Sequence, residues 1–249
     1  VVLAAAIDRA DDVLEIGPGL GSLTRHLCQA ARRVVAVELD GDLLPILREV
    51  LAAWENVRIV HGDILQVAPG ELFERSGYQV VANIPYYITS AVIRHLLEAP
   101  VRPNRMVLTV QREVAERITA GPGEMSVLAL SVQVYGWPSI AVHIPAGAFY
   151  PPPNVDSAVL RIDLYPQPQI PVEQIETFFR LVKAGFSQKR KNLRNALAGG
   201  LGIAPQAAEA LLTASEIDPR RRAETLDFCE WQRLSASAFE QTKTFAMHR

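Results

Sequence analysis

Val13-Leu14-Glu15-Ile16-Gly17-Pro18-Gly19-Leu20-Gly21 begins as a short apolar run and ends in three glycines on alternate positions. The run predicts a strand. The glycines predict a tight turn, because a residue without Cβ tolerates unusual backbone angles and lets a ligand come close. Outward from this stretch, a helical pattern covers Ser22–Ala31 and a second apolar run covers Val34–Val37. The alternation continues with a helix over Asp42–Ala53, strands over Val57–Val60, Gln79–Ala82 and Met106–Val110, and helices near Ser90–Ala99 and Arg112–Thr119. Such alternation implies an α/β fold, a mostly parallel sheet with helices on both faces.

The pattern changes further on. Val127–Tyr135, Ser139–Ile144 and Ser157–Leu164 read as β runs with no helix between them, which predicts an antiparallel edge. Tyr165–Pro171 carries three prolines and reads as a linker. Beyond it, Val172, Ile175, Phe178, Phe179, Val182 and Phe186 form one helical stripe, and further helical patterns lie near Lys191–Ala198, Pro205–Ala214 and Thr225–Ser237. Two domains are expected: residues 1–165, built on the sheet, and a small α-helical one over 171–249.

Composition bounds the function. The chain has 249 residues, 49% hydrophobic and 21% charged, as expected for a globule with a sizeable core. Cys28 and Cys229 match neither a metal spacing nor a disulfide framework, so a reducing, cytoplasmic setting is the economical expectation. No apolar run approaches the ~20 residues that span a bilayer. The sequence starts at Val1 with no signal pattern, and a further N-terminal segment is expected before it. The net charge of −2 hides a division: residues 1–160 carry 12 Lys/Arg against 17 Asp/Glu, and residues 161–249 carry 13 against 10. Thr177–Ala208 contains no acid, but holds Arg180, Lys183, Lys189, Arg190, Lys191 and Arg194. A polyanion can meet such a patch on a slightly acidic molecule.

Three strand ends carry the residues of a cofactor site. A dinucleotide fingerprint wants its third glycine three places after the second; Ser22 stands there, with the glycine at Gly21 instead. That spacing argues against NAD. Glu38 ends the second strand, where an acid can accept both hydroxyl hydrogens of a ribose, and Asp63 follows the third, where it can accept from an adenine amino group. Taken singly, Glu38 reads equally as a solvated strand-end charge and Asp63 as a helix N-cap. Their succession with Gly17 and Gly19 favours a ligand, since open parallel sheets bind ligands beyond the carboxyl ends of their strands.

The fourth strand ends in Asn83-Ile84-Pro85-Tyr86-Tyr87. Pro85 forces Ile84 towards extended backbone. The Asn83 side-chain oxygen and the Ile84 carbonyl can then accept two hydrogens from one exocyclic amine. The strand-end set of glycines, Glu38 and Asp63 resembles the Rossmann-like methyltransferases that bind S-adenosylmethionine. By that resemblance the amine nitrogen, held so, would turn its lone pair towards a methyl donor, and catalysis needs positioning but no strong base. Tyr86 would stack on a base drawn out of its helix. A second aromatic stands in Ala148-Phe149-Tyr150-Pro151-Pro152-Pro153-Asn154-Val155-Asp156-Ser157, where three prolines make a stiff arm. Phe149 either closes the other face of the base or plugs the core. The histidines His61, His95 and His143 have no evident partner and receive no role.

Gly17-Pro18-Gly19-Leu20-Gly21, Asn83 to Tyr87, Phe149 to Ala158 and Gly185-Phe186-Ser187-Gln188-Lys189-Arg190-Lys191-Asn192-Leu193-Arg194 together resemble the small-subunit (16S-type) ribosomal RNA adenine N6,N6-dimethyltransferases. The resemblance implies a Rossmann-like methyltransferase sheet and S-adenosyl-L-methionine as cofactor. It also implies dimethylation of two adjacent adenosines near the 3′ end of the small-subunit RNA, within an immature 30S particle. By the same resemblance Gly17, Gly19, Glu38, Asp63 and Asn83 contact the cofactor, and Asn83, Ile84, Pro85, Tyr86 and Phe149 form the catalytic set. Lys189, Arg190, Lys191 and Arg194, beginning the second helix of the C-terminal domain, would grip RNA phosphates. A cytoplasmic monomer acting in ribosome biogenesis, with no metal and no membrane, is the expected form. Family members also carry a Gln-Asn-Phe-like motif near their start that touches the cofactor; its place would lie before Val1. The competing readings are a large-subunit RNA adenine dimethyltransferase, a DNA adenine methyltransferase, and an assembly factor that kept the fold without turnover.

Overall fold

The computed structural model describes residues 1–150 and 152–247, with side chains as far as Gln241; Pro151 of the expected proline arm lies outside the described residues. In chain order the elements are α1 (Val2–Ala5), β1 (Asp12–Ile16), α2 (Ser22–Ala30), β2 (Arg33–Glu38), α3 (Leu44–Val50), β3 (Val57–His61), α4 (Pro69–Leu72), β4 (Gln79–Asn83), α5 (Thr89–Glu98), β5 (Arg105–Gln111), α6 (Arg112–Thr119), α7 (Val127–Gln133), β6 (Gly136–Ile144), β7 (Ser157–Leu164), α8 (Ile175–Phe186), α9 (Leu193–Leu201), α10 (Pro205–Ala214) and α11 (Phe228–Met247). They group into two compact units, Val1–Glu116 with Gly136–Pro166, and Arg117–Tyr135 with Gln167–Arg249.

The first unit holds one sheet of seven strands in the order β3-β2-β1-β4-β5-β7-β6. β3, β2, β1, β4 and β5 are parallel neighbours, while β7 runs antiparallel between β5 and β6. The central strands are apolar almost without interruption because helices cover both faces: Val13, Leu14, Val34, Val35, Val80, Val81, Met106 and Val107 are all fully buried. The chain leaves β1 in one direction towards β3 and resumes on the other side with β4. That reversal, between β1 and β4, is where such sheets open a crevice at their carboxyl edge.

Val127–Tyr135, expected as a strand, is the helix α7 and belongs to the second unit. Its apolar run is too short and continuous for a period to show. The local signal is the cap: the Ser126 hydroxyl accepts the Ala129 N–H at 3.1 Å. Residues 117–135 therefore join the helical unit, where the sequence placed them with the sheet. Backbone bonds hold them there, from Gly123 N–H to Glu224 O and from Gln169 N–H to Val134 O, both 2.8 Å. The antiparallel edge consists of β6 and β7 alone, with β6 starting at Gly136. Among the described residues no helix is long and apolar enough to cross a membrane.

Candidate active site

Parallel register puts the ends of β1, β2, β3 and β4 along one edge, with Ile16 opposite Val37 and Glu38 opposite His61. The glycine loop leaves β1 there. Gly17 N–H donates to Val37 O at 2.9 Å, and Gly17, Gly19 and Gly21 take φ of +66°, +56° and +78°, which disfavour any side chain. A Cβ on Gly17 or Gly19 would meet nothing within 4 Å, so the loop borders open space, whereas one on Gly21 would press Leu47 Cδ1 at 3.1 Å. The first two glycines thus shape a cradle, and the third lets α2 pack against α3.

Glu38 is only 6% exposed. Its Oε2 accepts the Gly19 N–H at 3.0 Å and its Oε1 accepts the Asp40 N–H at 2.9 Å, so one carboxylate ties the loop to the second strand tip. Each oxygen keeps a lone pair for a ligand hydroxyl. Asp63 Oδ1 accepts the Leu65 N–H at 2.9 Å in a turn, not at the helix N-cap weighed as its alternative, while among the described residues its other oxygen makes no hydrogen bond. Two residues before the first glycine lies Glu15, 1% exposed, with Oε2 unpartnered among the described residues. Burial pushes its carboxyl up to about 7, against the Thr24 hydroxyl and with help from the Glu38 charge.

Asn83 ends β4 beside Thr109 of β5 and is exposed, and its amide makes no hydrogen bond among the described residues. Ile84 behind it is buried at 2% exposure and anchors the loop; Pro85 then leads into a 3-10 turn, Tyr86–Ile88, which starts α5. Asn83, Ile84, Pro85, Tyr86, Phe149 and Pro153 line a cavity of about 290 Å³. That is the low end of the roughly 300–1,000 Å³ common for small-molecule pockets, the scale of one heterocycle. Phe149 is half-buried and lines this cavity together with Tyr86. The Tyr86 hydroxyl is hydrogen-bonded to Ser157 Oγ at 2.6 Å, a partner that the sequence did not single out.

In the helical unit, Lys189, Arg190 and Lys191 lie exposed in the turn between α8 and α9, ahead of the helix that was expected to contain them. The helix starts at Leu193 because the Asn192 side chain caps it, accepting the Asn195 N–H at 3.0 Å. Arg194 differs from the triad: its Nη1 pairs with Glu209 Oε2 at 3.1 Å. His61 and His95 meet backbone carbonyls, Leu39 O at 3.3 Å and Val67 O at 3.0 Å. Among the described residues no group of three or more His, Cys, Asp or Glu could hold a metal ion.

A parallel sheet with a glycine cradle, two acids on neighbouring tips and an Asn-Ile-Pro-Tyr slot defines a Rossmann-like methyltransferase. The family model for ribosomal RNA adenine dimethylases matches residues 1–236. Curated relatives include ribosomal RNA small subunit methyltransferase A of Dehalococcoides mccartyi (strain ATCC BAA-2266 / KCTC 15142 / 195), 49% identical over 94% of this chain and 81% of that protein, and its namesake from Geobacillus thermodenitrificans, 43% identical over 94% and 84%. The chain belongs to the ribosomal RNA adenine dimethylase family. Among solved structures, the 23S rRNA methyltransferase ErmE superposes with a TM-score of 0.77 at 28% identity, covering 95% of this chain and 94% of that one. A dimethyladenosine transferase from Plasmodium falciparum shares the fold with a TM-score of 0.81 at 23% identity, covering 97% and 94%.

Proposed function

We propose that this enzyme uses S-adenosyl-L-methionine to dimethylate the N6 amino groups of two adjacent adenosines near the 3′ end of small-subunit ribosomal RNA, during ribosome biogenesis. The carrying observation is the exposed Asn83 amide, without a hydrogen bond among the described residues, in a slot also lined by Tyr86 and Phe149. The relatives named for the small subunit, at 39–49% identity, favour that substrate over the large-subunit RNA of ErmE, at 28%.

The cradle fits the donor: Gly17 and Gly19 border open space, Glu38 has spare lone pairs for a ribose, and one Asp63 oxygen is unused for an adenine amine. When bound, the donor supplies an electrophilic methyl group on a sulfonium. The protein's part is to hold the acceptor. Tyr86 and Phe149 clasp the flipped base by its faces, at a gain of about 1–3 kcal/mol per stacked base. The Asn83 side-chain oxygen and the Ile84 carbonyl accept the two amine hydrogens. An adenine amine is a feeble nucleophile because its lone pair is drawn into the ring; gripping both hydrogens frees that pair to face the methyl group. The buried Ile84 side chain keeps the two acceptors in place. Each transfer leaves the nitrogen with a positive charge, relieved by loss of one proton to solvent; after the first, one hydrogen remains to be held, so the same loop serves the second round. The test is methyl incorporation, read by mass, into unmethylated 30S particles and mature 50S subunits. Modification of two adjacent adenosines in the 30S RNA alone is expected; modification of 50S RNA alone would move the enzyme to the large-subunit class.

The exposed triad Lys189, Arg190 and Lys191 supports phosphate contacts made by the helical unit to the particle's RNA. Replacing all three with alanine should flatten the log–log salt dependence of 30S binding by roughly two to three units. An Arg194→Ala change should alter that slope little, since its guanidinium is already paired with Glu209. An unchanged slope in the triple variant would turn attention to another surface.

A further inference from the structure

The two aromatic walls of the slot come from distant parts of the chain, yet both are fastened to one dipeptide. Ser157 is fully buried as the first residue of β7, and its hydroxyl meets the Tyr86 hydroxyl at 2.6 Å. Asp156, just before it, holds the other wall. Asp156 Oδ1 accepts the Ala146 N–H at 3.0 Å, at the start of the 3-10 turn Ala146–Ala148, whose next residue is Phe149. Phe149 N–H in turn donates to Ala146 O at 3.2 Å. The dipeptide is itself clamped: Arg112 N–H donates to Asp156 O at 3.0 Å and Arg112 Nη1 to Asp156 Oδ2 at 3.2 Å, while Ser157 sits in register between Gln111 of β5 and Ile144 of β6.

We propose that Asp156 and Ser157 are positioning residues that set the separation and tilt of Tyr86 and Phe149, and so the pose of the target base, without touching it. The proposal rests on the reading of those two rings as the base clasp. The chemistry is specific. A tyrosine ring on a 3-10 turn can swing about its χ angles, and a stacking platform is useful only at one orientation. A hydroxyl-to-hydroxyl bond to a fully buried partner fixes the ring from its far end and leaves its face free. Ser157 is placed for this because β7 runs antiparallel: its first residue lies at the edge where β4 ends.

The test uses initial rates of methyl transfer to unmethylated 30S particles, well below each variant's melting temperature. Ser157→Ala and Tyr86→Phe remove the same bond from opposite sides, and Tyr86→Phe keeps the ring and changes no fully buried side chain, though it takes the partner from the Ser157 hydroxyl. Each should lower kcat by about three- to tenfold, the range for one hydrogen bond, with the KM for particles unchanged because phosphate contacts dominate it. The double variant should be no worse than either single one, and Ser157→Thr, which keeps the hydroxyl, should restore most of the rate. Additive losses in the double variant, or full activity in Tyr86→Phe, would overturn the proposal. Tyr86→Ala and Phe149→Ala separate the two ideas: if they too are fully active, the clasp itself is wrong; if they are impaired while Tyr86→Phe is not, only the fastening fails.

Discussion

Asn83→Ala is expected to cut kcat for methyl transfer by roughly 10²–10³, the loss seen when one preorganised polar contact to a reacting group is removed. Particle binding should persist, because that affinity comes from phosphate contacts made elsewhere. The exposed amide, free of hydrogen bonds among the described residues, has no structural duty whose loss would confuse the result. Stability should change by less than about 0.5 kcal/mol, as for ordinary surface substitutions. A fall in kcat with an unchanged KM for particles marks an interaction made mainly in the transition state. Incorporation within tenfold of the parent enzyme would sink the assignment of the amine grip to Asn83.

A second large effect is expected at Glu15. Its carboxyl titrates near 7 in the folded protein against an ordinary value of 4.5, so the native state binds this proton more tightly than the unfolded chain does. The favourable contribution is complete below about pH 4.5, is lost as pH rises through the window to about 7, and stays lost above it. Glutamine copies the protonated acid in shape and charge. Glu15→Gln should therefore match the parent near the bottom of that window and surpass it above the top. The gain is bounded by the shift at about 3 kcal/mol, or several degrees of melting temperature for a unit this size. Thermal melts of both proteins across the window test this. Parallel stability curves would show that the side chain does not carry the burden of burial assigned to it.

How far the sequence could be read depends on where the information lies. β1, β2, β4 and β5 declare themselves because both faces are covered, which makes their runs mostly apolar, and the glycine loop marks the edge that matters. The slot was legible as well: Asn83, Ile84, Pro85 and Tyr86 are contiguous, and Phe149 stands in a proline arm unlike anything around it. α7 was hidden because a seven-residue helix shows too little of its period to be told from an apolar strand, and the Ser126 cap is the local signal that distinguishes them. The Ser157 link was hidden for another reason. A buried serine 71 residues from its tyrosine shows no local pattern, and its worth arises only when β7 is inserted against β5. Arg194 shares the acid-free stretch with the lysines, yet its partner Glu209 stands one residue beyond that stretch and reaches it only when α9 and α10 pack.

The insertion of β7 between β5 and β6 has a consequence for how such a chain can diversify. Everything assigned to the donor lies on the tips of the first four strands, whereas Phe149, Asp156 and Ser157 all fall in the stretch of chain between the start of β6 and the end of β7. On the proposed reading, exchanging that stretch should alter how the base is clasped and leave the donor cradle and the Asn83 grip in place. One jaw of the slot is thus separable from the other, and grafting a relative's stretch onto this sheet, then mapping the methylated nucleotides, measures how much of the choice of base it carries.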